Sequence, residues 1–236
     1  MILINSFLLI GQSNMAGRGL IHEADTIYND NLYMFRDNTW MLAEEPLHTD
    51  KPDLAGIGLG MSFADTLQRK FDKKIGLIPC AFGGTSLAEW KQGELLYTNA
   101  VSETIKALES SSLKGILWHQ GESDADHLST AQNYKDRFQT FIASLLVDIN
   151  QTSIPIIIGE LGEFLLKYEN CAYSPVINNQ LKSLSLDDKY YAFVSAKDLT
   201  DNGDRLHFNS KSLREFGIRY ANKWMECSQR LGISLE

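Results

Sequence analysis

Ser13 is the residue on which a reaction can be built. It stands in Leu8-Leu9-Ile10-Gly11-Gln12-Ser13-Asn14-Met15-Ala16-Gly17, where an apolar run meets a glycine turn that presents one hydroxyl. A serine hydroxyl is a poor nucleophile until a turn exposes it and a base takes its proton. Near the other end of the chain, Gly203-Asp204-Arg205-Leu206-His207-Phe208 puts a carboxylate and an imidazole three residues apart, close enough for one loop to carry both. An imidazole steadied by a carboxylate can accept the serine proton and return it to a leaving alcohol, which is the chemistry of acyl transfer. Each piece also has a plainer reading. A serine after a strand-end glycine serves as a helix N-cap, and an isolated Asp-x-x-His can be a surface histidine beside a capping Asp. The Gly-x-Ser-x-Gly elbow of the α/β-hydrolases is not met, because position 15 is Met. That elbow belongs to a fold whose acid and histidine are usually far apart in sequence, so the α/β-hydrolase fold is disfavoured.

Two further motifs bear polar groups suited to the same reaction. Gly83-Gly84-Thr85-Ser86 offers backbone N–H groups unobstructed by side chains; the N–H of Gly84 is a candidate oxyanion donor, the alternative being a tight turn that needs glycine. Trp118-His119-Gln120-Gly121-Glu122-Ser123-Asp124-Ala125-Asp126-His127 crowds ligand-type side chains together. His119, Glu122, Asp124, Asp126 and His127 are all possible metal ligands, but their spacing matches no compact zinc pattern. A solvated acidic loop is therefore expected, and neither metal nor other cofactor. In that loop the Gln120 amide can donate to a developing oxyanion, and Glu122 can orient His207. Trp40, Trp90 and Trp118 lie in or beside these loops; an indole such as Trp90 can stack on a sugar ring through its apolar face. Arg18 and Arg205 are candidate substrate contacts.

The elements that must position these residues follow from periodicity. Ile2–Ile10, Leu32–Phe35, Ile75–Pro79, Gly115–His119, Ile154–Leu161 and Tyr190–Ala196 read as short apolar strands. Between them, Ile57, Met61, Ala64, Leu67 and Phe71 keep helical spacing, as do Tyr134, Phe138, Phe141, Leu145 and Ile149, and then Leu213, Phe216, Tyr220 and Trp224. Nearly continuous apolar strands alternating with amphipathic helices predict a mostly parallel sheet covered on both faces. In such sheets the chemistry gathers outside the carboxyl ends of the strands. Four polar motifs fall at four of those ends. The stretch from about Leu20 to Asp53 has weak periodicity and is expected to loop over the site.

The chain of 236 residues is long enough for one domain, 1–236, with a substantial core. Its formal net charge of −8 argues against a nucleic-acid partner, which needs a basic face, and against docking to anionic lipid. No run approaches transmembrane length. Cys80, Cys171 and Cys227 are few, dispersed and odd in number, which favours a reducing compartment over secretion. The apolar opening Met1–Ile10 lacks a basic n-region and an A-x-A-like cleavage site and leads straight into the serine motif. It is read as a buried strand and the protein as cytoplasmic. No pattern assigns an oligomeric state.

Together the four motifs resemble the SGNH (GDSL-like) hydrolase superfamily, in particular the branch of sialate O-acetylesterases and carbohydrate esterase family 6 acetylxylan esterases. The resemblance is carried by Gly11–Gly17, Gly83–Trp90, Trp118–Asp124 and Asp204–Phe208, in the family's order across nearly the whole chain. It implies a flavodoxin-like three-layer α/β/α sandwich around a mostly parallel sheet of about five strands, and a metal-independent serine esterase that removes acetyl groups from carbohydrate. By the family pattern Ser13 is the nucleophile and His207 the base. The oxyanion donors are then the N–H groups of Ser13 and Gly84 with the Gln120 side chain. This sequence carries Gln120 where the wider superfamily has Asn. Asp204 is favoured as the acid, and Glu122 is the second candidate. Substrates consistent with the resemblance are acetylated oligosaccharides, xylan-derived sugars and sialic acids. Two rival functions remain: a lipase or thioesterase for longer acyl chains, and a non-catalytic carbohydrate-binding protein on the same fold.

Overall fold

Alternate residues of the first apolar run are buried on opposite faces of a sheet, which is why the run tolerates almost no polar interruption. A computed structural model describes residues 4–236; Ile2 and Leu3, the start of the expected first strand, lie outside the described residues. The strands are β1 (Ile4–Gly11), β2 (Leu32–Arg36), β3 (Thr39–Leu42), β4 (Ile75–Pro79), β5 (Ser111–His119), β6 (Ile156–Gly159) and β7 (Tyr191–Val194). They form one sheet in the order β3-β2-β4-β1-β5-β6-β7, parallel throughout except for β3.

Leu8 and Ile10 join Ile78, Ile116, Trp118, Ile156 and Ile158 in one core. Phe7 and Leu9 join Leu77, Leu117 and Ile157 in another. Helices α2 (Gly60–Phe71) and α7 (Ser210–Leu231) cover the second face, supplying Met61, Phe63, Leu67, Phe216 and Trp224. Helices α3 (Leu95–Leu108), α5 (Tyr134–Asp148) and α6 (Ser174–Asp187) cover the first, supplying Tyr97, Phe138, Phe141, Ile177 and Leu181. The short α1 (Ser13–Ala16) and α4 (Leu128–Gln132) complete the set. No helix among the described residues is long and apolar enough to cross a membrane.

The three-layer parallel architecture agrees with the sequence reading, with one correction of strand number. The five-stranded core β4-β1-β5-β6-β7 is extended by a β2–β3 ribbon, giving seven strands. β3 escaped the apolar criterion because it is an antiparallel edge strand with Thr39, Met41 and Leu42 exposed. α3 escaped it as well, because its buried stripe, Tyr97, Ala100, Thr104 and Ala107, is made mostly of small side chains.

This topology locates the chemistry. The chain leaves β1, builds β2 to β4 on one side of it, and then crosses to β5 on the other. The loops after β1, β4 and β5 therefore meet at a switch point above the carboxyl ends of adjacent strands, where open α/β sheets bind ligands.

Candidate active site

Gly11 ends β1 with φ +134, and a Cβ there would lie 2.1 Å from the carbonyl oxygen of His119. Only glycine lets the ends of β1 and β5 run this close. The N–H of Gln12 then donates to His119 O at 2.9 Å, and α1 starts at the next residue, with Gln12 in the capping position. Ser13 is thus the first helical residue and not the cap. Its hydroxyl is turned to His207, with Oγ 3.0 Å from Nε2.

The imidazole is delivered from the loop between β7 and α7. Asp201 and Phe208 form a lone antiparallel bridge across it, and the Asn209 side chain accepts from Ser212 N at 2.8 Å, capping α7 and ending the loop. Within the loop Asp204 Oδ1 accepts from the N–H groups of Leu206 and His207, each at 2.8 Å, while Oδ2 lies 2.6 Å from His207 Nδ1. Burial alone would raise the Asp204 carboxyl. The His207 and Leu206 N–H groups and the imidazole outweigh it and hold the group below the ordinary carboxylate value. An anionic Asp204 keeps the ring proton on Nδ1, leaving the Nε2 lone pair for the serine.

The cleft over Ser13 is lined by Gln12, Arg18, Lys51, Gly84, Tyr168 and His207, among others. Among the described residues, no acceptor takes the backbone N–H of Ser13 or of Gly84. The first is one of the donors that a helix start leaves over. The second is freed because Gly84 turns through φ +81.

Gln120 does not line the cleft. It is fully buried, its Nε2 donates toward Asp124 Oδ2, Thr85 O and Gln12 Oε1 at 2.8, 3.0 and 3.1 Å, and its Oε1 accepts from Tyr134 at 2.7 Å. Gln12 was not singled out by the sequence, yet it reaches the cleft. Its Oε1 is taken by Gln120 and by the N–H of Ser123 at 3.3 Å, and its Nε2 has no acceptor among the described residues. The only signal available was its place beside Ser13.

Other expectations are also revised. Trp90 is fully buried, donates to Thr85 Oγ1 at 3.3 Å and packs edge-on against Trp118, so no sugar can stack on it. Tyr168 is the aromatic residue in the cleft. Arg205 sits exposed at the loop tip with φ +63 and does not line the cleft. The segment expected to be a solvated acidic loop is divided: Ser123, Asp126 and His127 are exposed, while His119, Glu122 and Asp124 are built into the core. Asp124 is 1% exposed and accepts from Leu87 N, Gln120 and Arg137. Glu122 makes no hydrogen bond to His207; its Oε1 accepts from Asn14 Nδ2 at 2.5 Å and lies 3.4 Å from His119 Nε2. Burial would raise the Glu122 carboxyl, but the His119 imidazole and the Asn14 amide hold it below its usual value.

The stretch from Leu20 to Asp53 does reach the site. Asp50 Oδ2 accepts from Arg18 at 2.6 Å and from Gly83 N at 2.7 Å, tying that stretch to the glycine turn. Beside them His48 is buried with neither ring nitrogen hydrogen-bonded. Burial, aided by Arg18 and opposed by Asp50, lowers its pKa to about 4. The unfolded chain takes up this proton near pH 6.5 and the folded chain only near pH 4. Stability is therefore whole above pH 6.5 and falls as pH drops through that window, by roughly 3 kcal/mol in all. Urea unfolding of wild type and His48→Gln at pH 7 and pH 4.5 is expected to show a smaller acid loss in the variant. Equal losses would mean that His48 does not carry this sensitivity.

The model of a family described as carbohydrate esterase, sialic acid-specific acetylesterase, matches residues 4–226. A probable carbohydrate esterase from Arabidopsis thaliana is 30% identical over 93% of this chain and 89% of its own. Its X-ray structure superimposes with a TM-score of 0.84, at 30% identity, covering 94% of this chain and 98% of that one. The crystal structure of NanS matches at a TM-score of 0.75 and 15% identity, covering 97% and 98% of the two chains. A carbohydrate acetylesterase from Xanthomonas citri matches at 0.69 and 17% identity, covering 98% of this chain and 57% of that one. The last two likenesses are of fold.

Proposed function

The chain belongs to the carbohydrate esterases described as sialic acid-specific acetylesterases, and from that premise we propose that it is a serine O-acetylesterase acting on acidic sugars through an acetyl-Ser13 intermediate. The Ser13–His207–Asp204 chain, with links of 3.0 and 2.6 Å, is the observation that carries this reading. Ser13 Oγ attacks the acetyl carbonyl as its proton passes to His207 Nε2, and Asp204 steadies the imidazolium. The oxyanion is met by the N–H groups of Ser13 and Gly84 and by Gln12 Nε2, a set of fixed donors of the kind that stabilises tetrahedral intermediates. Collapse breaks the bond to the sugar oxygen, which takes the proton from His207. Water, deprotonated by the same ring, then adds to the acetyl-serine ester; as that ester bond breaks, Ser13 Oγ takes the proton back from His207 and acetic acid leaves, ionising to acetate. The whole machinery lies within one domain.

Tyr168 offers a face for the sugar ring, and Lys51 supports an acidic substrate. Lys51 lines the cleft, has no carboxylate partner among the described residues, and puts its Nζ 3.4 Å from where a Cβ on Gly84 would sit. A substrate carboxylate there gains a charge-assisted hydrogen bond. Lys51→Gln is expected to raise KM for O-acetylated sialic acid about tenfold, with hydrolysis of 4-nitrophenyl acetate and of acetylated xylo-oligosaccharides little changed. An equal effect on charged and neutral esters would remove the acidic-sugar assignment and leave the esterase reading intact. Cys80, Cys171 and Cys227 are buried free thiols, which supports a reducing, cytoplasmic setting.

A further inference from the structure

Glu122 is buried in the site's floor, carries charge, and touches neither the nucleophile nor the imidazole. It does hold Asn14, the residue covalently next to Ser13. The Asn14 amide is fully used: Nδ2 donates to Glu122 Oε1 at 2.5 Å and to Leu206 O at 3.1 Å, and Oδ1 accepts from Phe208 N at 3.0 Å. Leu206 and Phe208 are the two neighbours of His207. The loop bearing the base is thus gripped on both sides of the imidazole by a side chain adjoining the nucleophile, 192 and 194 residues away in sequence. Asp204 holds the same loop from its other edge through the N–H groups of Leu206 and His207.

We propose that Asn14, oriented by Glu122, is the positioning residue that sets the Ser13–His207 distance. Glu122 then acts on the base through Asn14 and not through the ring. The amide has two possible flips, and only one puts its N–H groups toward Leu206 O and its oxygen toward Phe208 N. An acceptor-only carboxylate selects that flip. His119 braces the carboxylate from behind, its ring enclosed by Phe208 and Phe216.

This inference rests on the serine esterase reading, and its test separates the two. Wild type, Asn14→Leu, Glu122→Gln and the double variant are compared for kcat and KM on an acetyl ester, and for the rate at which phenylmethylsulfonyl fluoride modifies Ser13. Sulfonylation needs the serine and its base in register but no sugar. Asn14→Leu is expected to lower kcat and sulfonylation together by about a hundredfold, the scale of a misplacement near 1 Å, with KM unchanged. Because Glu122 acts through Asn14, the double variant should lose no more than Asn14→Leu alone. Losses that multiply would place Glu122 on an independent route and overturn the proposal. So would a folded Asn14→Leu with wild-type sulfonylation, which would leave Asn14 a purely structural role. Should Asn14→Leu fail to fold with the Glu122 charge unpaired, Asn14→Ser is read in the same cycle. Failure of the reagent to modify Ser13 in wild type would instead sink the esterase reading itself.

Discussion

Ser13→Ala is expected to abolish ester turnover, lowering kcat by up to about a millionfold, as loss of a triad nucleophile does when the triad acts as a unit. The substitution removes one hydroxyl that makes a single hydrogen bond, to His207 Nε2, and alanine suits the first turn of a helix, so the fold should be retained. The check is acetate release from 4-nitrophenyl acetate and from O-acetylated sialic acid, with the binding of the latter followed by calorimetry. Binding that survives while turnover vanishes is the expected pair of results. Adding His207→Ala to Ser13→Ala should cost almost nothing more, since a base without its nucleophile has no proton to move. Undiminished turnover in Ser13→Ala would demote Ser13 to a turn residue. Sugar binding with no turnover even in wild type would bring forward the carbohydrate-binding rival.

The second large effect concerns the two glutamines. Gln12→Ala is expected to lower kcat by about a hundred- to a thousandfold with KM little changed, the signature of a lost oxyanion donor. The fold should be little affected: Gln12 Nε2 has no protein acceptor to abandon, and of the two donors to its Oε1, Gln120 Nε2 keeps Asp124 Oδ2 and Thr85 O while Ser123 is exposed to water. Gln120→Ala should also slow the enzyme, but by another route. It frees the Gln12 amide to flip and strips a donor from Thr85 O and Asp124 Oδ2 inside the core. Unsatisfied buried groups cost about 1–3 kcal/mol each, so Gln120→Ala should lower Tm where Gln12→Ala does not. Wild-type turnover in Gln12→Ala would remove that side chain from the oxyanion site. A rate loss in Gln120→Ala with an unchanged Tm would return Gln120 to it.

The sequence by itself determined those features that residue type and short spacing settle. A strand buried on both faces must be apolar almost throughout, so β1, β2 and β4 to β7 were legible as runs. A carboxylate three residues ahead of a histidine can share its loop, so Asp204 and His207 could be paired without knowing the loop's shape. Gly11 marked a turn ahead of Ser13 and Gly84 a candidate N–H donor, because glycine puts no side chain in the way; the close approach of Gly11 to His119 O came only with the fold. Only the tertiary structure decided where side chains from distant segments point. Trp90 and Gln120 are polar-tipped residues in loops beside the site, and both are consumed by partners inside the core. The orientation of Gln12 depends on Gln120 and Ser123, and that of Asn14 on Glu122 and on both neighbours of His207. Lys51 reaches the cleft from a segment whose weak periodicity promised only a loop. A side-chain amide chooses between two flips according to the donors and acceptors around it. Those donors and acceptors come from segments up to nearly two hundred residues apart, which meet only when the sheet closes over its switch point.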